Sequence, residues 1–300
     1  MIKIIELKKS FDTSHVLKGI SLHAEKGKIY GLVGSNGCGK TTVFKHIMNI
    51  YKGDSGQILY NDTEVPNNEY MNHIYYVQDD LFFPTNYCLD DLFEYESMLY
   101  NTMSSDKYNN LKTFFKMDGS KKLRTLSKGQ KKQAAFILAI ASMTETLMLD
   151  EIVDGLDAVI RKKFWKVLMS EVIDRELTVV ISSHALTELD NICDKVGILH
   201  EGHIVREDSI ETLKEETKRI QFAIKGEFES MENEAYEILK VTLVGKVHFA
   251  VVRGDSDQFR DDLYVQYDVL LYDELHMNLE EIFVTELGGL GYGNEEYINE

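Results

Sequence analysis

The sequence of 300 residues predicts an α/β fold. A mostly parallel sheet covered by helices surrounds a phosphate-binding loop, and a small α+β domain follows at the C-terminal end. Three observations carry this. The stretch "GLVGSNGCGKTT" (31–42) packs four glycines into nine residues and closes on Lys-Thr-Thr. Strand-like and helix-like segments then alternate to about residue 217. Past that point the composition changes: residues 226–300 hold 18 Asp/Glu against four Lys/Arg, a net of −14, which leaves −3 of the total −17 for everything before them.

Short strands fill the first sixty residues. Among them "KIYGLVG" (28–34) is an apolar β-rich run that reads as a buried strand, and "TTVFKHIMNI" (41–50) carries apolar residues at helical spacing. Between them, Gly34 to Thr41 spell G-x-x-x-x-G-K-T, the phosphate-binding pattern. Backbone N–H groups from Ser35 to Lys40 can surround a phosphate at the helix start. Gly34, Ser35, Asn36, Gly37, Cys38, Gly39, Lys40, Thr41 and Thr42 are therefore the candidate nucleotide-binding residues. Lys40 is expected on the β- and γ-phosphates and the Thr41 hydroxyl on Mg²⁺. Cys38 reads as a filler at a variable position of the loop.

Further along, "HIYYVQ" (73–78) is β-rich, and residues 88–120 are helical in pattern. "LSKGQKKQAAFILAIASM" (126–143) is a helix with Ser127 as N-cap. "TLMLDE" (146–151) is a buried strand ending in two acids, "AVIRKKFWKVLMSEVI" (158–173) an amphipathic helix, and "LTVVISSH" (177–184) a strand ending in His184. "KVGILHEGHIVRED" (195–208) is a hairpin turning at Glu201-Gly202. From about 218, "RIQFAIK", "VTLVGK", "VHFAVV" and "DVLLYDEL" read as strands, with "ESMENEAYEIL" (229–239) and "DSDQFRDDL" (255–263) as helices. That order, β-α-β-β-α-β, suggests a split-βαβ sandwich.

Composition narrows the function. No apolar run approaches the roughly 18 residues that cross a bilayer, the N-terminal stretch lacks a signal-peptide layout, and three scattered cysteines fit a reducing cytoplasm. The acidic tail repels nucleic acid and anionic lipid, so no nucleic acid partner is expected.

After the phosphate-binding loop an ordered set follows. Gln78 ends a strand, "LSKGQ" (126–130) opens a helix, "LMLDE" (147–151) ends in acids, "GLDA" (155–158) comes at once, and His184 ends the next strand. With these residues the chain, over positions 1 to about 215, resembles the ATP-binding subunit of an ABC transporter. It is similar to the ATPases of bacterial exporters of the drug, lantibiotic and peptide type, which share a closing helix like "NLEEIFVTELGG" (278–289). The resemblance implies an ABC ATPase domain at 1–217, with an antiparallel β subdomain and a helical subdomain near 79–142, and an acidic accessory α+β domain at 218–300.

It also implies roles. Asp150, at a strand tip, would hold Mg²⁺ together with Thr41 and Gln78. Glu151 would polarise the attacking water, with His184, Gln78 and Lys40 completing the catalytic set. Phe11 is either the aromatic that stacks on adenine or simple core packing. Ser127, Gly129 and Gln130 would bind the γ-phosphate of ATP held by a second subunit, and Asp157 would reach across the same interface. Two ATP molecules would then join a head-to-tail homodimer or heterodimer. Lys128, Ile152 and Ala158 depart from the family's usual Gly, Pro and Pro. Leu81, Phe82 and Phe83 either floor a groove for a helix of a separately encoded permease or tuck into the local core.

The function expected is an ATP-driven motor of a membrane exporter, cytoplasmic and held at the inner face of the membrane by its permease. A soluble ABC ATPase of translation or DNA repair fits less well, since the chain has one cassette and no heptads. An importer ATPase is the other alternative. The transported substrate is not written in this chain.

Overall fold

The computed structural model describes residues 1–64 and 68–288. Gly289, the last residue of the "NLEEIFVTELGG" segment, lies outside the described residues. The chain divides into two compact units, at 1–207 and from 208 onward.

The first unit opens with β1 (Ile2–Phe11) and β2 (Ser14–Ala24), paired antiparallel. β1 buries Ile2, Ile4 and Leu7 and leaves Lys3, Glu6 and Lys8 exposed, the pattern of a sheet with one covered face. β3 (Ile29–Gly34) leads through the glycine-rich loop into α1 (Lys40–Ile47). β4 (Ser55–Tyr60) returns to β1 and pairs with the short β5 (Thr63–Glu64), giving a four-stranded sheet ordered β2-β1-β4-β5. β6 (Ile74–Val77) precedes a helical region of α2 (Leu89–Ser97), α3 (Ser105–Phe115) and α4 (Lys128–Ala141).

The remaining elements of this unit alternate: β7 (Thr146–Asp150), α5 (Ala158–Arg175), β8 (Thr178–Ser182), α6 (Leu186–Leu189), β9 (Lys195–His200) and β10 (His203–Ser209). They complete a six-stranded sheet ordered β10-β9-β3-β8-β7-β6. β3 lies between β8 and β9, parallel to both, and all six of its residues are buried. That is why it reads as a continuous apolar run. The hairpin turn falls at Glu201 and Gly202, both at positive φ, as the sequence predicts.

Helix starts follow their caps. The Ser127 hydroxyl accepts from Gln130 N (3.2 Å) while Gln130 Oε1 accepts from Ser127 N (3.1 Å), a closed capping box for α4. Asp157 caps α5 by accepting from Val159 N and Ile160 N. Phe136 of α4 stacks on Phe164 of α5 at 4.0 Å between ring centres, and Phe115 of α3 meets both edge-on. This cluster sets α4 against α3 and α5.

The second unit holds α7 (Ile210–Glu216), β11 (Thr217–Ile224), β12 (Tyr236–Val244), β13 (Val247–Gly254), α8 (Ser256–Gln266), β14 (Val269–Leu275) and α9 (Leu279–Gly288). Its antiparallel sheet is ordered β12-β13-β11-β14. Phe259 and Leu263 of α8 belong to a core with Ile220, Phe222, Ala250 and Val252. Two expectations are corrected. The division falls at 207/208 rather than 217/218, because α7 packs with α9 and β11. The segment 229–239 forms no helix: a loop runs to Ala235, and β12 begins at Tyr236 opposite Gly254. Burial of Met231 and Tyr236 in the local core outweighs the helical propensity of this acidic stretch. The sheet therefore lacks the first helix of a split-βαβ unit.

Candidate active site

The glycine-rich loop is shaped by contacts only glycine allows. A Cβ on Gly34 would lie 2.3 Å from Leu199 O, and Gly37 and Gly39 adopt φ of 79° and 117°. Cys38 is buried, and desolvation raises its thiol pKa, so only its backbone is offered to a ligand. A cavity of about 150 Å³ opens over the loop, lined by Asn36, Gly37, Gly39, Lys40, Thr41 and Thr42, with Val16 and Glu151.

Lys40 is buried within this loop. Its Nζ donates to Gly34 O (2.8 Å) and Ser35 O (3.2 Å) and lies 3.8 Å from Glu151 Oε1. Beside it, Thr41 Oγ1 donates to Asp150 Oδ2 at 2.7 Å. Asp150 is wholly buried at the end of β7, and its other oxygen accepts from Ser182 Oγ at 2.5 Å. Tyr76 Oη reaches Oδ2 at 3.4 Å. A hydroxyl and a carboxylate this close form an oxygen donor pair suited to a hard divalent cation.

Glu151 follows β7 at φ 50°, in the left-handed region. Its N–H donates to Ser182 O (3.1 Å), and its carboxylate meets His184 Nε2 at 2.8 Å. Lys132, 2 % exposed on α4, donates to Glu151 O (2.5 Å) and Asp154 O (3.0 Å) and lies 3.7 Å from Asp79. Burial lowers the Lys132 pKa, and Asp79 and Asp154 act against that. Asp154 in turn accepts from Ser183 Oγ at 2.7 Å and from His184 N at 3.4 Å. One ligand atom each from Glu151, Asp154 and His184 lie within 4.8 Å of one another. A lysine, a carboxylate and an imidazole thus converge beside the loop, where proton transfer at a bound phosphate can be managed.

Not all sequence candidates come together. Gln78 follows β6, is exposed, and lines a separate groove. Ser127, Gly129 and Gln130 form the start of α4, outside the lining of the loop cavity. Asp157 spends its side chain on the cap of α5. Phe11 packs edge-on against Tyr51 at 5.1 Å, under Lys9, while Val16 lines the cavity. Lys132, Asp154, Ser182 and Tyr76 were missed. The one signal for Lys132 is a basic residue ahead of an otherwise apolar helical run.

Residues 17–154 match the profile of the family described as ABC transporter. The chain is 32% identical over 292 residues to the ABC transporter ATP-binding protein YtrB of Bacillus subtilis, covering 96% of this chain and 99% of that one. It is 27% identical to the bacitracin transport ATP-binding protein BcrA of Bacillus licheniformis, over 96% and 98% of the two chains. The fold is similar to that of the ATP-binding cassette MJ0796, solved as a dimer in a post-hydrolysis state bound to ADP and Pi. That match has a TM-score of 0.62 at 20% identity and covers 70% of this chain and 99% of the other.

Proposed function

This chain belongs to the ABC transporter family as an ATP-binding subunit and an ATPase, and from that premise we propose that it is the motor of an exporter, working as a dimer around two ATP molecules. The observation that carries the reading is the line of contacts from Lys40 through Glu151 to His184, beside the Thr41–Asp150 pair. Thr41 and Asp150 are the residues that would hold Mg²⁺, which neutralises phosphate charge when bound; Gln78 would approach from the end of β6. Lys40 exchanges the carbonyls of Gly34 and Ser35 for β- and γ-phosphate oxygens. Glu151 takes the proton of the attacking water, with its carboxylate oriented by His184 and its backbone fixed by Lys132 and Ser182.

Ser127, Gly129 and Gln130 serve the site of the second subunit, as their position outside this chain's own cavity supports. Asp157, at the start of α5, faces the same interface. Likeness to a bacitracin transport protein across both units supports export. No described helix is long and apolar enough to cross a membrane. In the reading proposed here the chain is held at the inner face of the membrane by a separate permease. That permease docks where Leu81, Phe82 and Phe83 line a groove, Phe82 being 85% exposed.

The test is Glu151→Gln. It should retain ATP binding, lower hydrolysis at least about a hundredfold, and accumulate an ATP-bound dimer on gel filtration. Near-normal turnover would remove Glu151 from its role.

A further inference from the structure

The groove beside Gln78 has a chemical character of its own. It holds about 160 Å³ between α2, α4 and the segment after β6. Leu81, Phe82, Phe83, Leu92 and Leu138 give it apolar walls, and Glu96 is its one charged lining residue. One carboxylate oxygen of Glu96 accepts from Tyr75 Oη at 2.6 Å. No Lys or Arg among the described residues pairs with it. Burial pushes its pKa up to about 7, with Tyr75 pulling the other way. An acid kept in an apolar groove without a cation is costly for the free protein. It becomes favourable when an incoming group supplies the missing charge.

We propose that Glu96 anchors a single basic side chain, Lys or Arg, on the apolar face of the permease helix that docks in this groove. The inference rests on the docking reading given above and names its chemistry. A neutral helix would satisfy the walls but leave Glu96 unpaired, and an acidic one would add like charge. A lysine or arginine lays its aliphatic stem along the Leu and Phe side chains while its head group meets the carboxylate. Apolar walls thus supply affinity, and Glu96 selects register and partner.

The probe is a set of short amphipathic helical peptides, identical except for one position of the apolar face that is lysine, norleucine or glutamate. Each is fluorescently labelled and titrated with the full-length protein. The lysine peptide should bind wild-type protein at least about tenfold more tightly than the norleucine peptide, and the glutamate peptide most weakly. The preference should vanish in Glu96→Gln. Equal binding of the lysine and norleucine peptides to wild type overturns the proposal without needing any variant to fold, and so does a lysine preference that survives Glu96→Gln. Phe82→Asp separates the two readings. If it weakens all three peptides while lysine and norleucine bind alike, a helix docks here and only the Glu96 anchor fails. If it weakens none, or if no peptide binds wild type, docking in this groove fails and the anchor with it.

Discussion

Glu96 carries a second consequence, for stability. Its pKa rises from the ordinary 4.5 to about 7 through burial, with Tyr75 and Tyr100 as the titratable groups facing it. A carboxyl that holds its proton more tightly when folded stabilises the fold below pH 4.5. That stability is lost as pH rises from there through 7, because the unfolded chain releases the proton first. Glu96→Gln mimics the protonated form. The variant should match wild type near pH 4 and exceed it at pH 8 by on the order of 2 kcal/mol, the full shift being discounted for solvent in the groove. Urea unfolding of both proteins at the two pH values checks this; equal wild-type and variant stability at pH 8 would place the carboxylate in water. At this scale motif spacing singled out Lys40, Thr41, Asp150 and Glu151, and the structure sets Thr41 against Asp150 and Lys40 near Glu151. The sequence was silent where partners come from register. Ser182 meets Asp150 because β7 and β8 pair in parallel with these two residues opposite each other. No local spacing encodes that meeting across the sheet. Glu96 was hidden for the same reason: in sequence it is one acid among several on a helix.

Among the elements, α4 links the parts of the site. Ser127 caps its start, Lys132 follows one turn on against Glu151 and Asp154, and Phe136 then locks it on α5. Lys132 holds the carbonyl of a residue whose positive φ is strained for a glutamate. If Glu151 activates water as proposed, Lys132→Met should lower kcat by about tenfold or more while ATP affinity stays within about threefold, since misplacing that group impairs chemistry before binding. Lys132→Arg should recover part of kcat. A uniform loss of ATP binding in Lys132→Met would mean the lysine only supports folding, which thermal melting would register. The start of α4 was legible because Ser and Gln at its cap satisfy each other's backbone locally. Segment 229–239 was misread because its fate is decided elsewhere: Tyr236 pairs in register with Gly254, its hydroxyl donates to Asp262 at 3.0 Å, and Asn233 Nδ2 donates to the same carboxylate at 2.8 Å. Contacts from α8, distant in sequence, override the local pattern.

For the whole molecule, the charge step near 226 announced a second module, and the structure gives that module its own core of Ile220, Phe222, Ala250, Val252, Phe259 and Leu263. The boundary itself was not legible, because α7 joins this unit through packing and not through composition. All residues lining the cavity over the phosphate-binding loop fall between Val16 and Glu151, within the first unit. A chain ending at Ser209 keeps β10 whole and retains the six-stranded sheet. A unit with its own core can fold alone. If the loop backbone and Lys40 hold the nucleotide as proposed, the shortened chain should bind ATP within about threefold of the full protein. Removing the strongly acidic unit also lowers the net negative charge, so two shortened chains should repel each other less, and the ATP-bound dimer proposed above should weaken less steeply as salt is withdrawn. Calorimetric titration with ATP, beside gel filtration at low and high salt, reads both effects. A shortened chain that melts cooperatively yet has lost most of its ATP affinity would show that the acidic unit takes part in nucleotide binding, contrary to the separation argued from its core.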